Sequence, residues 1–181
     1  MIEVKRPGKL FLAGEYAVTQ DGYPAIVVPI DRFINIKLKK SSDQGYIKSF
    51  GDTKVTLVNN GTWSIKENDN RFSYILSALN IWDKYLEVKK NETYQIEITS
   101  DLESKDGVKY GLGSSASVVV ALFDALAKIN GLELSKEHLF KLSTLASMSH
   151  SKYGSFADVA CISYEEPIFY RKFNSKYIKR K

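Results

Sequence analysis

The sequence contains one cysteine, Cys161, and only two histidines, His138 and His150. A single cysteine excludes an intrachain disulfide and favours a reducing, cytoplasmic location. The histidines have no cysteine or acidic cluster beside them at the spacing of zinc ligands, so we do not expect a zinc site. Cys161 stands in an apolar run without a histidine partner in its sequence context, which predicts a buried small side chain rather than a catalytic thiol.

The sequence also lacks long apolar runs and a broadly basic composition. No segment has the length of a membrane span, and residues 1–5 do not begin a signal peptide, so no membrane partner is expected. Much of the net charge of +5 comes from the last eleven residues, which contain Arg171, Lys172, Lys176, Lys179, Arg180 and Lys181. Because the rest of the chain is close to neutral, we expect a solvated basic tail over 171–181 and no nucleic-acid partner.

The chain has 181 residues, of which 44% are hydrophobic, enough for one domain with a sizeable core. Apolar alternation and turn signals predict a hairpin turn at Asp21-Gly22, between strands at 16–19 and 24–30. The other predicted strands cover 2–4, 10–12, 33–39, 93–100, 159–164 and 168–170, with two or three more within 45–66. Helices are predicted at 71–87, at 115–129 and after Ser135. The class is α+β, a mixed β-sheet with helices packed on it.

A glycine-rich turn joins the predicted strand at 93–100 to the predicted helix at 115–129. Its sequence is Lys109-Tyr110-Gly111-Leu112-Gly113-Ser114-Ser115-Ala116. Glycines let the backbone approach a ligand, a helix N-terminus favours negative charge, and serine hydroxyls bind phosphate oxygens or a divalent cation. The turn is not a Walker loop, because no Gly-Lys-Ser/Thr closes it. A plain tight turn with a serine N-cap explains the same residues, so the turn alone leaves both interpretations open.

Two further motifs favour the phosphate-binding interpretation. Pro7-Gly8-Lys9 is followed by Gly14-Glu15-Tyr16-Ala17, and Gly154-Ser155 is followed by Asp158. The first of these segments and residues 111–116 resemble the first two motifs of the GHMP small-molecule kinases, and Gly154-Ser155 with Asp158 resembles the segment that carries the family's catalytic aspartate. They occur in the family's order and span almost the whole chain.

The resemblance implies a ribosomal-small-subunit-protein domain-2-like fold with the glycine turn at the mouth of a cleft. It implies ATP and Mg²⁺ as cofactors, Lys9 and Asp158 as catalytic residues, and Ser115 as the metal contact. The residues that it assigns to ATP binding are Lys109, Gly111, Leu112, Gly113, Ser114, Ser115 and Ala116. Glu15, Tyr16 and Ser155 are expected to contact the acceptor.

The residues taken one at a time also allow structural roles. Lys9 and Lys109 fit solvated surface lysines, and Asp158 fits a helix cap or a surface carboxylate. Ser114 and Ser115 fit helix caps, which does not exclude phosphate binding. Tyr16 fits a packing role as well as a contact to the acceptor.

Within this family the chain most resembles the phosphomevalonate kinases, by residues 14–17, by Lys109-Tyr110, and by Gly154-Ser155 with Asp158. Mevalonate kinases carry a glutamate as a metal ligand eleven residues before the catalytic aspartate, and this chain has Ser147 there. The resemblance therefore implies ATP-dependent phosphorylation of the small molecule phosphomevalonate to diphosphomevalonate, in the mevalonate pathway of isoprenoid synthesis. Mevalonate kinase or another GHMP kinase is the alternative. A non-catalytic RNA-binding module of the same fold is the alternative of another class.

Kinases of this family are longer than this chain and carry a third glycine-rich motif in a second domain. We therefore expect residues 1–170 to form the N-terminal domain of such an enzyme, and residues 171–181 to begin a connection to a missing C-terminal domain. Alone, this part of the enzyme is expected to show little or no turnover. It is also expected to self-associate through the face that the missing domain would cover.

Overall fold

The computed structural model describes residues 1–49, 53–87, 92–103, 110–150 and 154–172. Within these residues, seven strands form one mixed sheet; three of the four α-helices pack against it, and the third helix along the chain packs against the other helices. The strands are β1 (Ile2–Ala13), β2 (Pro24–Ser41), β3 (Gly45–Lys48), β4 (Lys54–Asn59), β5 (Trp63–Ile65), β6 (Thr93–Ser100) and β7 (Ile168–Arg171). The helices are α1 (Ser73–Leu86), α2 (Ser114–Ile129), α3 (Lys136–Met148) and α4 (Ala157–Tyr164). The predicted α+β class is confirmed.

The sheet is organised around the long central strand β2. The order of strands is β1-β2-β6-β3-β4-β5, and β7 pairs with the first residues of β2. All pairs are antiparallel except β3 with β6. The segments 24–30 and 33–39, predicted as two strands, form this one strand. Asp31 and Arg32 are accommodated by a register shift in the pairing with β1, because Pro7 pairs with Phe33 while Gly8 pairs with Ile30.

The predicted strand at 16–19 is wrong, since Ala17–Thr19 form a 3₁₀ helix. Strand β1 ends where the chain turns at Gly14, which has a left-handed φ of 78°. A Cβ atom at Gly14 would lie 2.3 Å from the carbonyl oxygen of Pro24, so the turn packs directly on the start of β2. Asp21-Gly22 remains a turn into β2, but it does not close a two-stranded hairpin with residues 16–19.

The predicted strand at 159–164 is also wrong, because these residues belong to α4. Apart from Ser163, the segment is apolar because α4 is buried between α2, α3 and the sheet. Periodicity cannot distinguish a short buried helix from a buried strand. The predicted strand at 168–170 is confirmed as β7, which extends to Arg171, the first residue of the predicted tail; residues 173–181 lie outside the described part.

Helix α2 is the centre of the core. Every residue from 116 to 127 is buried, including one charged residue, Asp124. The Asp124 carboxylate lies 2.6 Å from the Arg6 guanidinium of β1 and 3.1 Å from the Lys128 ammonium. Burial and ion pairing fix α2 against the sheet and thereby fix the position of its first turn, which carries Ser114 and Ser115. Among the described helices, none is long and apolar enough to cross a membrane.

Candidate active site

The glycine turn packs against β1 through Lys9. The Lys9 side chain is buried, with 6% of the residue exposed, and its ammonium donates a hydrogen bond to the Gly111 carbonyl at 2.7 Å. The backbone N–H of Lys9 donates to the Leu112 carbonyl at 2.8 Å. The ammonium also lies 4.8 Å from the centroid of the Phe11 ring, at cation–π distance. Lys9 is therefore fixed against the glycine turn and is not a solvated surface lysine.

Helix α2 begins directly after a left-handed glycine. Gly113 has a φ of 84° and is itself the N-cap residue, so neither serine occupies the N-cap position. A Cβ atom at Gly113 would lie 2.9 Å from Cγ of Lys9, which explains why glycine is required there. Within the described residues, the side chains of Ser114 and Ser115 make no hydrogen bond. Two free hydroxyls thus accompany the unpaired N–H groups of a helix N-terminus, an arrangement that suits an anion.

Asp158 lies in the first turn of α4, where its carboxylate accepts a hydrogen bond from the N–H of Val159 at 2.9 Å. The helix follows Phe156, a buried residue with a left-handed φ of 62°. A bulky side chain rarely adopts this backbone conformation, and such strain is concentrated at functional sites. The turn before Asp158 is therefore specified by its surroundings and not by local preference.

One cavity of about 290 Å³ brings the separate motifs together. Of the residues predicted for the site, its walls contain Lys9, Glu15, Ser115, Ala116, Ser155 and Asp158. The remaining wall residues are Phe11, Tyr74, Ser147, Gly154, Phe156 and Val159. Lys9 and Asp158 are distant in sequence, but the pairing of β1 with β2 and the packing of α4 on both strands place them at the same cavity.

A second, smaller cavity of about 60 Å³ lies beside the first. Ser115 and Tyr74 belong to the walls of both cavities, and Ser114 belongs to the second. The other residues around the smaller cavity are Ser49, Thr53, Arg71, Phe72, Ile75, Ile98, Glu103 and Val118. The first turn of α2 therefore borders both cavities.

Some predicted residues are not brought to the cavity walls. Tyr16 is 84% exposed in the turn after β1. Gly111 and Leu112 contact Lys9 through their carbonyls, on the rim of the site. Lys109 lies outside the described residues.

Burial dominates the electrostatics of the Asp158 side chain. It raises the pKa of this carboxyl above its ordinary value, and the hydrogen bond from the Val159 N–H and the positive charge of Lys9 oppose the rise only in part. Burial also raises the pKa of the Cys161 thiol to about 12, with a further contribution from the charge of Asp158. Cys161 is fully buried, as predicted, and its thiol stays protonated at neutral pH.

Ser147 occupies the position where mevalonate kinases are expected to have a carboxylate. It lies on the wall of the larger cavity, and its hydroxyl donates to the Ser143 carbonyl at 2.9 Å. Among the described residues, no group of three or more histidine, cysteine, aspartate or glutamate side chains is arranged to hold a metal ion. A cation at this site would therefore depend on ligands other than a carboxylate cluster.

Sequence reasoning did not single out Tyr74 or Phe11 as residues of the site. Tyr74 lies in the first turn of α1, with its ring centroid 4.3 Å from that of His150. Tyr74 lies outside the motifs, and Phe11 stands at a position between Lys9 and Gly14 to which the motif gives no role. The presence of Phe11 two residues after Lys9, on the same side of β1, was the one usable signal.

The family model described as the N-terminal domain of GHMP kinases matches residues 73–166. This is more than half of the chain, and the chain belongs to the GHMP kinase family. Among its relatives, it is 32% identical to a phosphomevalonate kinase of Streptomyces sp. (strain CL190), over 89% of this chain and 48% of the relative. It is 28% identical to the mevalonate kinase of Methanocaldococcus jannaschii, over 90% of this chain and 51% of the relative.

A solved structure of Streptococcus pneumoniae phosphomevalonate kinase in complex with phosphomevalonate and AMPPNP has the same fold. The TM-score is 0.84 at 29% identity, and the match covers 98% of this chain and 52% of that one. The predicted family and its fold are thereby confirmed. The chain spans about half the length of the relatives that it matches.

Proposed function

We propose that this chain forms the N-terminal domain of an enzyme that transfers the γ-phosphoryl group of ATP to phosphomevalonate. The observation that carries the proposal is the single cavity that contains Lys9, Asp158 and the first turn of α2. These groups are a cation, a carboxylate and an anion-binding helix end, which are the parts that phosphoryl transfer requires. The similarity to phosphomevalonate kinases supports the choice of acceptor.

The glycine turn and the start of α2 are assigned to the phosphates of ATP. Gly111 and Gly113 allow close approach of the backbone, while the hydroxyls of Ser114 and Ser115 donate to phosphate oxygens. Lys9 stabilises the negative charge on the transferred group. To do so, its ammonium exchanges the Gly111 carbonyl for a phosphoryl oxygen.

In this reaction the bond from the γ-phosphorus to the bridging oxygen of ATP breaks, and a bond to an oxygen of the acceptor phosphate forms. The products are ADP and diphosphomevalonate. Because a phosphate acceptor is already anionic at neutral pH, Asp158 does not need to be a strong base. We assign it to orienting the acceptor and taking any remaining proton. Glu15 and Ser155, on the same cavity wall, are assigned to the acceptor side, as is the exposed Tyr16.

The residues present are compatible with Mg²⁺, although they offer few ligands. Ser115 supplies a hydroxyl oxygen between the two cavities, and Mg²⁺ commonly keeps most of its water and takes phosphate oxygens. Bound there, the ion would neutralise phosphate charge. A site built mainly from ATP and water is consistent with Ser147 in place of a carboxylate.

Mevalonate kinase is the second candidate, because mevalonate kinases are also among the relatives. In that reaction the acceptor is an alcohol, whose proton must be removed, and a more demanding role falls on Asp158. Ser147 argues for the phosphate acceptor. We also propose a cytoplasmic location, which the single buried cysteine supports.

We propose that this N-terminal domain, without the rest of the enzyme, is inactive or nearly so. The match covers only about half of the length of these relatives. A site left open to water stabilises charge weakly. One exposed apolar surface also supports self-association through the face that further sequence would cover. This outer apolar patch consists of Leu10 and Leu12 on β1, Ile26 on β2 and Phe169 on β7.

The choice of acceptor can be tested by steady-state kinetics on the complete gene product with ATP and Mg²⁺. We expect kcat/KM for phosphomevalonate to exceed that for mevalonate by at least about a hundredfold, since a site that binds the charged phosphate rejects an analogue without it. A preference for mevalonate would establish the second candidate. An absence of ADP formation with both acceptors would overturn the proposal.

A further inference from the structure

Strand β7 contacts both segments that border the acceptor side of the cavity, although none of its residues lies on the cavity wall. The Tyr170 hydroxyl donates a hydrogen bond to the Ser155 carbonyl at 2.7 Å. Directly after the strand, the Lys172 ammonium donates to the Thr19 carbonyl at 3.0 Å, in the 3₁₀ helix that follows Glu15 and Tyr16. The first of these contacts is partly buried, whereas the second is exposed.

The Tyr170 ring packs against a small apolar cluster. The buried residues of this cluster are Val18, Ala25, Val27, Ala157 and Cys161. Pairing with Ala25 in the sheet fixes the backbone of Tyr170 as well. Burial and the charge of Asp158 raise the pKa of the Tyr170 hydroxyl, so it remains a neutral donor over the working pH range.

The segment that receives this hydrogen bond contains a strained residue and a long hydrogen bond. Phe156 holds a left-handed conformation, and the contact from the Ala157 N–H to the Ser155 hydroxyl is long, at 3.4 Å. The bond from Tyr170 is shorter than this contact and links the turn to β7. Ser155 contributes to the cavity wall, and its carbonyl accepts the hydrogen bond from Tyr170.

We propose that Tyr170 is a positioning residue of the candidate active site. Its hydroxyl holds the Ser155–Phe156 turn so that Ser155 and Asp158 face the acceptor. The catalytic consequence rests on the proposed function, whereas the structural consequence does not. Catalysis is sensitive to small displacements of such groups, so the loss of one hydrogen bond at this turn is expected to affect the transfer step more than ATP binding.

Replacing Tyr170 by Phe tests the structural part, because Phe keeps the ring and removes the hydroxyl. Tyr164→Phe is the matched control: Tyr164 is half-buried beside Phe140, and within the described residues its hydroxyl makes no hydrogen bond. The readout is hydrogen–deuterium exchange of the 181-residue chain, followed at the Ala160 amide, which donates to the Phe156 carbonyl at 3.0 Å.

We expect exchange at Ala160 to be about tenfold faster in Tyr170→Phe and unchanged in Tyr164→Phe. Amides in the middle of α2 should exchange as in the wild type. Unchanged exchange at Ala160 would overturn the proposal. Equal acceleration at Ala160 and throughout α2 would also overturn it, because the tyrosine would then stabilise the whole domain.

The catalytic part is measured on the complete gene product. Tyr170→Phe should lower kcat for the phosphomevalonate reaction about tenfold, equivalent to about 1.4 kcal/mol, with the KM for ATP within about twofold of the wild type. Tyr164→Phe should change neither constant. An unchanged kcat in Tyr170→Phe would overturn the assignment. A wild type that transfers no phosphoryl group would refute the proposed function, and the exchange measurement would still decide the role of Tyr170.

Discussion

Lys9 and Asp158 carry opposite charges on the wall of one cavity, yet each has a separate partner. The ammonium of Lys9 donates to the Gly111 carbonyl, and the carboxylate of Asp158 accepts from the Val159 N–H. Neither group is neutralised by a direct ion pair with the other, so both remain available to a charged ligand. At the scale of residues, this separation is what distinguishes a candidate catalytic pair from a structural salt bridge.

Replacing either residue should lower turnover much more than ATP affinity. For Asp158→Asn we expect kcat of the complete gene product to fall by about 10²–10⁴-fold, and for Lys9→Met by about 10²–10³-fold. Groups that act in the transition state affect kcat rather than uniform binding, so the KM for ATP should change little. Lys136→Met, at an exposed lysine on α3, is the control and should keep wild-type kinetics. Near-normal turnover in either site variant would refute the role given to that residue.

Asp158→Asn should also change the pH dependence of stability. Because burial raises the pKa of Asp158 in the folded state, that state holds the proton more tightly than the unfolded state does. The contribution of Asp158 to stability is therefore fully present below its unfolded pKa, about 4, and is lost as pH rises through the folded pKa. Relative to the wild type, Asp158→Asn should gain stability as the pH rises from 4 toward neutrality.

Urea unfolding of the 181-residue chain and of the variant, at a series of pH values, measures this difference. Taking the difference between the two proteins removes the contribution of the other carboxyls. A stability difference that does not vary with pH would contradict a raised pKa at Asp158.

At the scale of elements, the site is formed where β1, the start of α2 and the start of α4 meet. Gly113 allows this contact, because a side chain there would collide with Lys9. Gly131, after α2, has a similar left-handed φ of 72° but no heavy atom within 4 Å of an added Cβ. Gly113→Ala and Gly131→Ala should both lose about 1–2 kcal/mol of stability from the backbone conformation.

Only Gly113→Ala should also weaken nucleotide binding, since it alone displaces Lys9 and the turn. Titration of the complete gene product with an ATP analogue by calorimetry separates the two effects. Equal nucleotide affinity in both variants would contradict the assignment of the turn to phosphate binding.

The sequence predicted the elements whose pattern is local and periodic. The structure matches the predicted strand at 93–100 and the predicted helices at 71–87 and 115–129, which correspond to α1 and α2. It also matches the predicted cap, because the Ser135 hydroxyl accepts a hydrogen bond from the His138 N–H. It failed at α4, whose apolar residues are buried on all sides, and at 16–19, where the contact of Gly14 with Pro24 ends the strand. Both failures come from tertiary contacts that a local pattern does not contain.

The candidate site likewise contains residues that sequence motifs predict and residues that only tertiary packing places there. The motifs predicted Lys9, Ser115 and Asp158, and these three residues do share a cavity. Tyr74 and Tyr170 could not be predicted, because their relation to the site depends on the packing of α1 and β7. The left-handed conformation of Phe156 has no signal in the sequence either, since glycine and asparagine are the residues that usually adopt it.

At the scale of the whole molecule, the exposed surface is unusual at one end of the sheet. The outer apolar patch includes Leu12 and Phe169, which are 62% and 66% exposed. Residues of this kind on adjacent strands favour association with another apolar surface. We therefore expect the 181-residue chain to form dimers or larger species at micromolar concentration.

Sedimentation velocity should show this association for the wild type and its loss in the double variant Leu12→Ser, Phe169→Ser. Leu132→Ser, at a residue 42% exposed in the loop between α2 and α3, is the control and should associate as the wild type does. A wild-type chain that sediments as a monomer would show that the patch is not an association surface in solution.

The central claim concerns the atom that receives the phosphoryl group. The most direct measurement is ³¹P NMR of the reaction of the complete gene product with ATP, Mg²⁺ and phosphomevalonate. We predict loss of the phosphomonoester resonance and the growth of two coupled resonances of a diphosphate, together with ADP. A product with two uncoupled phosphomonoester resonances would place the new phosphate on an alcohol oxygen and contradict the account.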